Sequence, residues 1–69
     1  METEGGVQSV TRIFSIVEIL AANPHGMPLQ AIANEAGLAK STAHRLLASL
    51  IALGYVLQDG VTGQYRLTL

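Results

Sequence analysis

The sequence predicts a mainly helical domain closed by a small β-hairpin: three helices, then two strands. Three observations predict it. Apolar residues recur at helical spacing in three separate stretches of the 69-residue chain. Breakers separate those stretches: Pro24, Gly26 and Pro28 after the first, Gly37 after the second and Gly54 after the third. Beyond Gly54 the period shortens to two on either side of the turn Asp59-Gly60-Val61-Thr62-Gly63.

Each element follows from its residues. Residues 1–6 read as a flexible arm and 7–69 as one domain. The first helix begins at Val7 and ends near Asn23. Val10, Ile13, Phe14, Val17, Leu20 and Ala21 fall on one face at about 100° per residue, with Thr11, Arg12, Ser15 and Glu18 opposite. Ser9 is the expected N-cap, because its hydroxyl can accept from an unpaired N–H of the first turn. Ile16 and Ile19 fall off that apolar stripe, which suggests a surface for a second copy of the chain. The second helix runs from Leu29 to Ala36, with Leu29, Ile32, Ala33 and Ala36 inward and Gln30, Asn34 and Glu35 toward water. Gly37 ends it, since glycine takes the left-handed conformation without a Cβ penalty. The third helix runs from Ala39 to Leu53. Ala43, Leu46, Leu47, Leu50 and Leu53 form its apolar face, and Ser41, His44, Arg45, Ala48, Ser49 and Ala52 lie opposite, with Thr42 on the flank. Tyr55–Gln58 and Gln64–Leu67 are the strands, and Tyr65 and Leu67 belong to the core.

Composition narrows the function. The chain is 49% hydrophobic and 13% charged, which is a globular balance. A domain of this length buries only about 60% of the surface its unfolded chain exposes, so its own stability is expected to be small. The absence of cysteine excludes disulfides, thiolate zinc sites and cysteine nucleophiles. No apolar run approaches the ~20 residues of a membrane span. The first residues are acidic, where a secretory signal would be basic and then apolar. These features predict a cytoplasmic protein. The net charge is −1, but its distribution is uneven. Outside Glu2 and Glu4 there are four basic and three acidic side chains, and no acid stands between Glu35 and Asp59. That stretch carries Lys40, His44 and Arg45.

Helix 2, the Gly37 turn and helix 3 compose a helix-turn-helix; helix 1 walls the core and the hairpin is a wing. In such units the second helix lies in the major groove of DNA and its N-terminal residues meet base edges. Ala48, Ser49 and Ala52 keep the outward face slim, while Lys40, Ser41, Thr42, His44 and Arg45 supply donors and acceptors near the helix start. The helix N-terminus adds partial positive charge and free N–H groups for phosphate oxygens. Arg45 is central on that face and suits a bidentate contact with guanine. Plainer roles compete: Ser41 as a helix cap, His44 and Arg12 as solvated surface, Arg66 as cover for the wing. The alternative function is a winged helix that binds protein without reading DNA. An enzyme is not expected. Asp59 is the only aspartate, His25 and His44 sit on different elements, and there is no phosphate-binding glycine loop. No cofactor and no metal site is expected.

The segments Val7-Gln8-Ser9-Val10-Thr11-Arg12, Leu29 to Ala33, Gly37-Leu38-Ala39-Lys40-Ser41-Thr42-Ala43-His44-Arg45-Leu46-Leu47, Gly54-Tyr55-Val56 and Gly63-Gln64-Tyr65-Arg66-Leu67 resemble the N-terminal domain of IclR-family bacterial transcriptional regulators. The resemblance covers nearly everything after residue 6, and the Lys-Ser-Thr-x-His-Arg-Leu-Leu run is its most specific part. It implies a repressor or activator that binds a two-fold symmetric double-stranded operator as a dimer or tetramer. It also implies a larger C-terminal domain, absent from this chain, that is reached through a linker helix and binds small-molecule effectors. The contact positions it implies are Arg12, the start of helix 2, and Lys40 through Arg45. Two residues depart from the family pattern. Ala39 stands where proline is frequent, a change that a good helix former absorbs. Pro28 stands where serine or threonine is frequent, which removes a cap and a phosphate contact; Gln30 or backbone N–H groups are the expected substitutes.

Overall fold

Three helices and a two-stranded antiparallel hairpin follow one another along the chain: α1 (Thr3–Ala22), α2 (Leu29–Ala36), α3 (Lys40–Ala52), β1 (Val56–Gln58) and β2 (Tyr65–Leu67). The computed structural model describes the backbone of residues 3–68 and the side chains of residues 8–68. α1 packs on α2 and β2, and α3 packs on α2 and β1. The helices therefore wall one side of the core and the hairpin closes it.

The second helix has the predicted bounds, and its capping explains them. Gly37 adopts φ +69°. Its N–H donates to the Asn34 carbonyl, and the Leu38 N–H reaches back to the Ala33 carbonyl at 2.9 Å. This is the Schellman pattern, in which a left-handed residue satisfies carbonyls that a helix end would leave unpaired. α3 ends the same way: Gly54, at φ +89°, donates to Ile51, and Tyr55 donates to Leu50. The predicted limits of α3 shift inward by one residue at each end, with Ala39 and Leu53 as caps. Leu53 consequently leaves the apolar face on which the sequence places it and is 69% exposed.

α1 departs further from expectation. Its helical backbone reaches back to Thr3, so residues 3–6 are helix and not an arm; residues 1–2 lie outside the described residues. Gly5 and Gly6 each cost about 1 kcal/mol relative to alanine, which is why the sequence reads as an arm. Extending a nucleated helix nonetheless fixes only one residue for each hydrogen bond gained. Ser9 is thus interior to the helix and exposed, not an N-cap. The buried stripe is also rotated. Ile16 and Leu20 are fully buried, with Ile13, Val17 and Ile19 packed partly against the core. Val10 and Phe14 are 54% and 61% exposed, and Ala21 is exposed as well. The isoleucines expected to face a second copy of the chain therefore face its own interior.

The core cluster joins Ile16, Leu20, Met27, Ile32, Leu47, Leu50, Val56 and Tyr65. In the hairpin Val56 stands opposite Leu67, Leu57 opposite Arg66 and Gln58 opposite Tyr65. Val56 and Tyr65 turn inward, Leu67 is half-buried, and Leu57 and Arg66 share the outer face. The connection between α1 and α2 does more than break a helix. Met27 bonds to Tyr65 in both directions, N–H to carbonyl, at 2.8 and 2.9 Å, and adds a one-residue rung to β2. The buried Met27 side chain belongs to the same cluster.

Ile16→Ala and Leu47→Ala are each expected to destabilise the chain by about 2–5 kcal/mol, while Phe14→Ala stays within about 0.5 kcal/mol. Urea unfolding followed by circular dichroism measures the difference, and a larger loss for Phe14 would reverse the assignment of the buried face. Two glycines give a second contrast. A Cβ at Gly37 or Gly60 meets no neighbouring atom within 4 Å, but only Gly37 has positive φ. Gly37→Ala should therefore cost about 1–2 kcal/mol, whereas Gly60→Ala should be neutral or slightly stabilising.

Candidate nucleic-acid interface

α3 is held from beneath and left open above. Ala43, Leu47 and Leu50 are buried, and Leu46 and Ile51 pack partly against the core. With that side anchored, helical geometry turns Ser41, His44, Arg45, Ala48, Ser49 and Ala52 to solvent, and all six are exposed. Lys40 is exposed at the first position of the helix, and Thr42 is half-buried on the flank. The first turn and a half of α3 thus gathers five of the predicted contact residues: Lys40, Ser41, Thr42, His44 and Arg45. Beyond them the face narrows to Ala48, Ser49 and Ala52.

The N-terminus of this helix carries no side-chain cap. Ala39 occupies the cap position with extended backbone (φ −64°, ψ 147°), and no side-chain hydrogen bond closes the end. Ser41 is therefore not a cap. The Ala43 N–H donates to the Ala39 carbonyl at 3.0 Å. The N–H groups of the preceding turn have no partner within the helix and point out of its end. α2 begins the same way, behind Pro28, which also lacks a side-chain cap bond. Two helix starts with unpaired N–H groups carry partial positive charge on this molecule.

The other two predicted contacts stand on other elements. Arg12 is exposed on α1, and Gln30 is exposed in the first turn of α2. The Gln30 amide already donates to the Asn34 side chain at 3.1 Å, one turn along the helix, leaving its carbonyl oxygen free to accept. None of the side-chain hydrogen bonds among the described residues involves Arg12, Lys40, Ser41, Thr42, His44 or Arg45. These groups are held in place by their helices and not by one another.

A network in the hairpin escapes the sequence reading. The Asp59 carboxylate accepts from the Val61 N–H at 2.9 Å and from the Thr62 hydroxyl at 3.0 Å. Those bonds, the Val61 one first, hold its pKa below the usual carboxylate value. The Asp59-Gly60 pair signals a turn, but not that both carboxylate oxygens would be engaged within it. No group of three or more metal-ligating side chains occurs among the described residues, and no described helix is long and apolar enough to cross a membrane.

Comparison with known proteins agrees with this architecture. The family model for the IclR helix-turn-helix domain matches residues 9–60. The DNA-binding transcriptional repressor YiaJ of Escherichia coli is 46% identical over 67 residues, covering 97% of this chain and 24% of that protein. Among solved structures, an IclR family transcriptional regulator from Brucella abortus superposes with a TM-score of 0.80 at 31% identity, over 88% of this chain and 23% of that one. HmgR of Pseudomonas aeruginosa superposes with a TM-score of 0.73 at 36% identity, over 80% and 23% respectively. The chain spans about a quarter of the length of these relatives. With the family model matching most of its length, and with three helices and a hairpin in the order described, the chain belongs to the IclR helix-turn-helix family.

Proposed function

We propose that this chain is the double-stranded-DNA-binding domain of a bacterial transcriptional regulator, with α3 lying in the major groove and the hairpin beside it as a wing. One observation carries the reading. The exposed face of α3 starts at an uncapped N-terminus, holds Lys40, Ser41, Thr42, His44 and Arg45, and then thins to alanine and serine. Basic and hydroxyl groups near a helix start can meet phosphates and base edges, and small residues further along let the helix approach closely. Arg45, in the middle of the face, is assigned to a bidentate contact with guanine. Lys40, Arg12 and the N-terminus of α2, with Gln30 beside it, are assigned to the sugar–phosphate backbone. Family membership supports the same reading, and it disfavours both a protein-interaction module and an enzyme.

The strength of binding follows from charge. Arg12, Lys40, Arg45 and Arg66 are all the fixed cations of one copy. At a slope of about −0.9 per phosphate neutralised, log affinity against log salt can reach at most about −3.6 for a single domain. We therefore assign specific binding to the intact regulator acting as a dimer or tetramer on a two-fold symmetric operator in the cytoplasm. Its remaining length houses the small-molecule effector site. Linking two copies raises affinity through effective concentration without any new contact.

The test is selection of genomic fragments by the intact protein, with Arg45→Ala in parallel. Recovery of a two-fold symmetric site that the variant loses is the expected result. Selection of the same site by both proteins would remove α3 from the readout. Lys40→Ala should weaken binding almost equally across sequences and make the salt slope shallower by about 1. The 69-residue domain alone is expected to bind near the nonspecific range of about 10⁻⁴ to 10⁻⁶ M. A fluorescence-anisotropy titration checks this, and affinity equal to that of the intact protein would contradict the dimer assignment.

A further inference from the structure

His44 is the one group on the exposed face of α3 whose charge can change near neutral pH. Lys40 and Arg45 are fixed cations, and Ser41, Ala48, Ser49 and Ala52 carry no charge. Imidazole is the side chain that ordinarily titrates between pH 5 and 8. The chain has one other histidine, His25, exposed in the connection between α1 and α2.

The surroundings of His44 offer its proton no carboxylate on the same helix. Its outward neighbours one turn away are Lys40, Ser41 and Ala48, and Arg45 follows it in sequence. No residue of α3 is an acid. α2 and β1 pack against α3, whose buried residues are Ala43, Leu47 and Leu50, on the side away from His44. α2 brings one charged group, the exposed Glu35; β1 itself brings none, with Tyr55 before it and Asp59 after it. The Asp59 carboxylate is engaged by Val61 and Thr62 within its own turn. Among the described residues, α1 adds Arg12 and Glu18 and β2 adds Arg66, all exposed. No side-chain hydrogen bond among the described residues involves His44. A phosphate would change this balance, because an imidazolium beside it makes a charge-assisted hydrogen bond that a neutral ring does not. His44 stands about 6 Å along the helix axis from Lys40, which is assigned to the sugar–phosphate backbone.

We propose that the domain takes up a proton from solvent on His44 when it binds DNA, the imidazolium meeting a backbone phosphate, so that affinity rises as pH falls. The inference rests on the DNA-binding reading above. Its sign follows from linkage: a complex that holds more protons than its separated parts strengthens as protons are added, by at most about tenfold per pH unit for each proton taken up. The same charge enters the salt dependence. Four fixed cations limit the slope of one domain to about −3.6, and a protonated His44 extends that limit to about −4.5.

The experiment compares wild type, His44→Gln, His44→Lys, His25→Gln and Arg45→Ala in the intact protein, on the duplex recovered by the selection above. Anisotropy titrations at pH 6 and pH 8, each over a range of salt, give affinity and salt slope, and the thermal midpoint at each pH reads folding. From pH 8 to pH 6 wild type should tighten by about three- to tenfold more than His44→Gln for each domain engaged, and its salt slope should steepen by about 0.9 per domain. His25→Gln should keep the wild-type response. His44→Lys, charged at both pH values, should bind at pH 8 about as tightly as wild type at pH 6 and lose the extra pH response. Midpoints should change with pH alike in all five proteins. A pH response in His44→Gln equal to that of wild type overturns the proposal, as does weakening of that variant by the same factor at both pH values, which is the signature of a neutral contact. In either case loss of binding in Arg45→Ala leaves the α3 reading standing. A protein that binds no duplex at either pH overturns both together.

Discussion

The direction in which α3 presents its polar face depends on one apolar cluster. Leu47 and Leu50 share one buried cluster with Ile16 and Leu20 of α1, Ile32 of α2, and Val56 and Tyr65 of the hairpin. Every element contributes to that cluster, so no element can rotate without opening a void in it. Protein interiors are packed near crystal density and tolerate little volume change. The exposed face of α3 is thereby fixed from the opposite side of its own helix. The Gly37 turn adds the second constraint. Its Schellman bonds set where α2 stops, and Leu38 packs partly against the core before α3 begins.

Much of this was legible in the sequence, and the parts that were not share a cause. α2 could be read to the residue because its eight positions hold one apolar face, one polar face and a glycine stop. α1 could not. Val10, Ile13, Phe14, Ile16, Val17, Ile19 and Leu20 spread apolar character over most of its circumference, and two overlapping stripes satisfy helical spacing. Periodicity alone cannot choose between them. The choice is made by what α2 and β2 offer to pack against, and they take Ile16 and Leu20 while leaving Val10 and Phe14 outside. Met27 was hidden for a similar reason. Lying between two prolines, it reads as part of a breaker, yet its backbone pairs with Tyr65 across 38 positions of sequence. Long-range pairings of single residues leave no local period to detect.

The candidate interface was legible for a different reason: it is local. Lys40, Ser41, Thr42, His44 and Arg45 are consecutive or nearly so, and a helix alone is enough to bring them together. Sequence could not show how little holds their side chains. Capping α3 with serine, threonine, asparagine or aspartate at position 39 would normally add about 1 kcal/mol of stability. Alanine forgoes that and leaves the N–H groups of the first turn available to an external anion. A small domain with a limited core has little stability to spare, so an uncapped start on both α2 and α3 is a cost that its packing has to offset.

Net charge is a poor guide to such a molecule. The chain is acidic overall, yet its five acids are dispersed and its exposed α3 face has none. Two acids lie in the first four residues, Glu18 and Glu35 lie on α1 and α2, and Asp59 is absorbed into the wing's own hydrogen bonds. What a phosphate meets on approaching α3 is Lys40, Arg45 and the positive end of a helix. Screening makes that local field decisive, because charges more than about 8 Å away are largely hidden at physiological salt. Placement, not total charge, therefore governs the encounter. On the proposed reading, a second linked copy doubles the number of neutralised phosphates, which steepens the salt dependence and strengthens binding together.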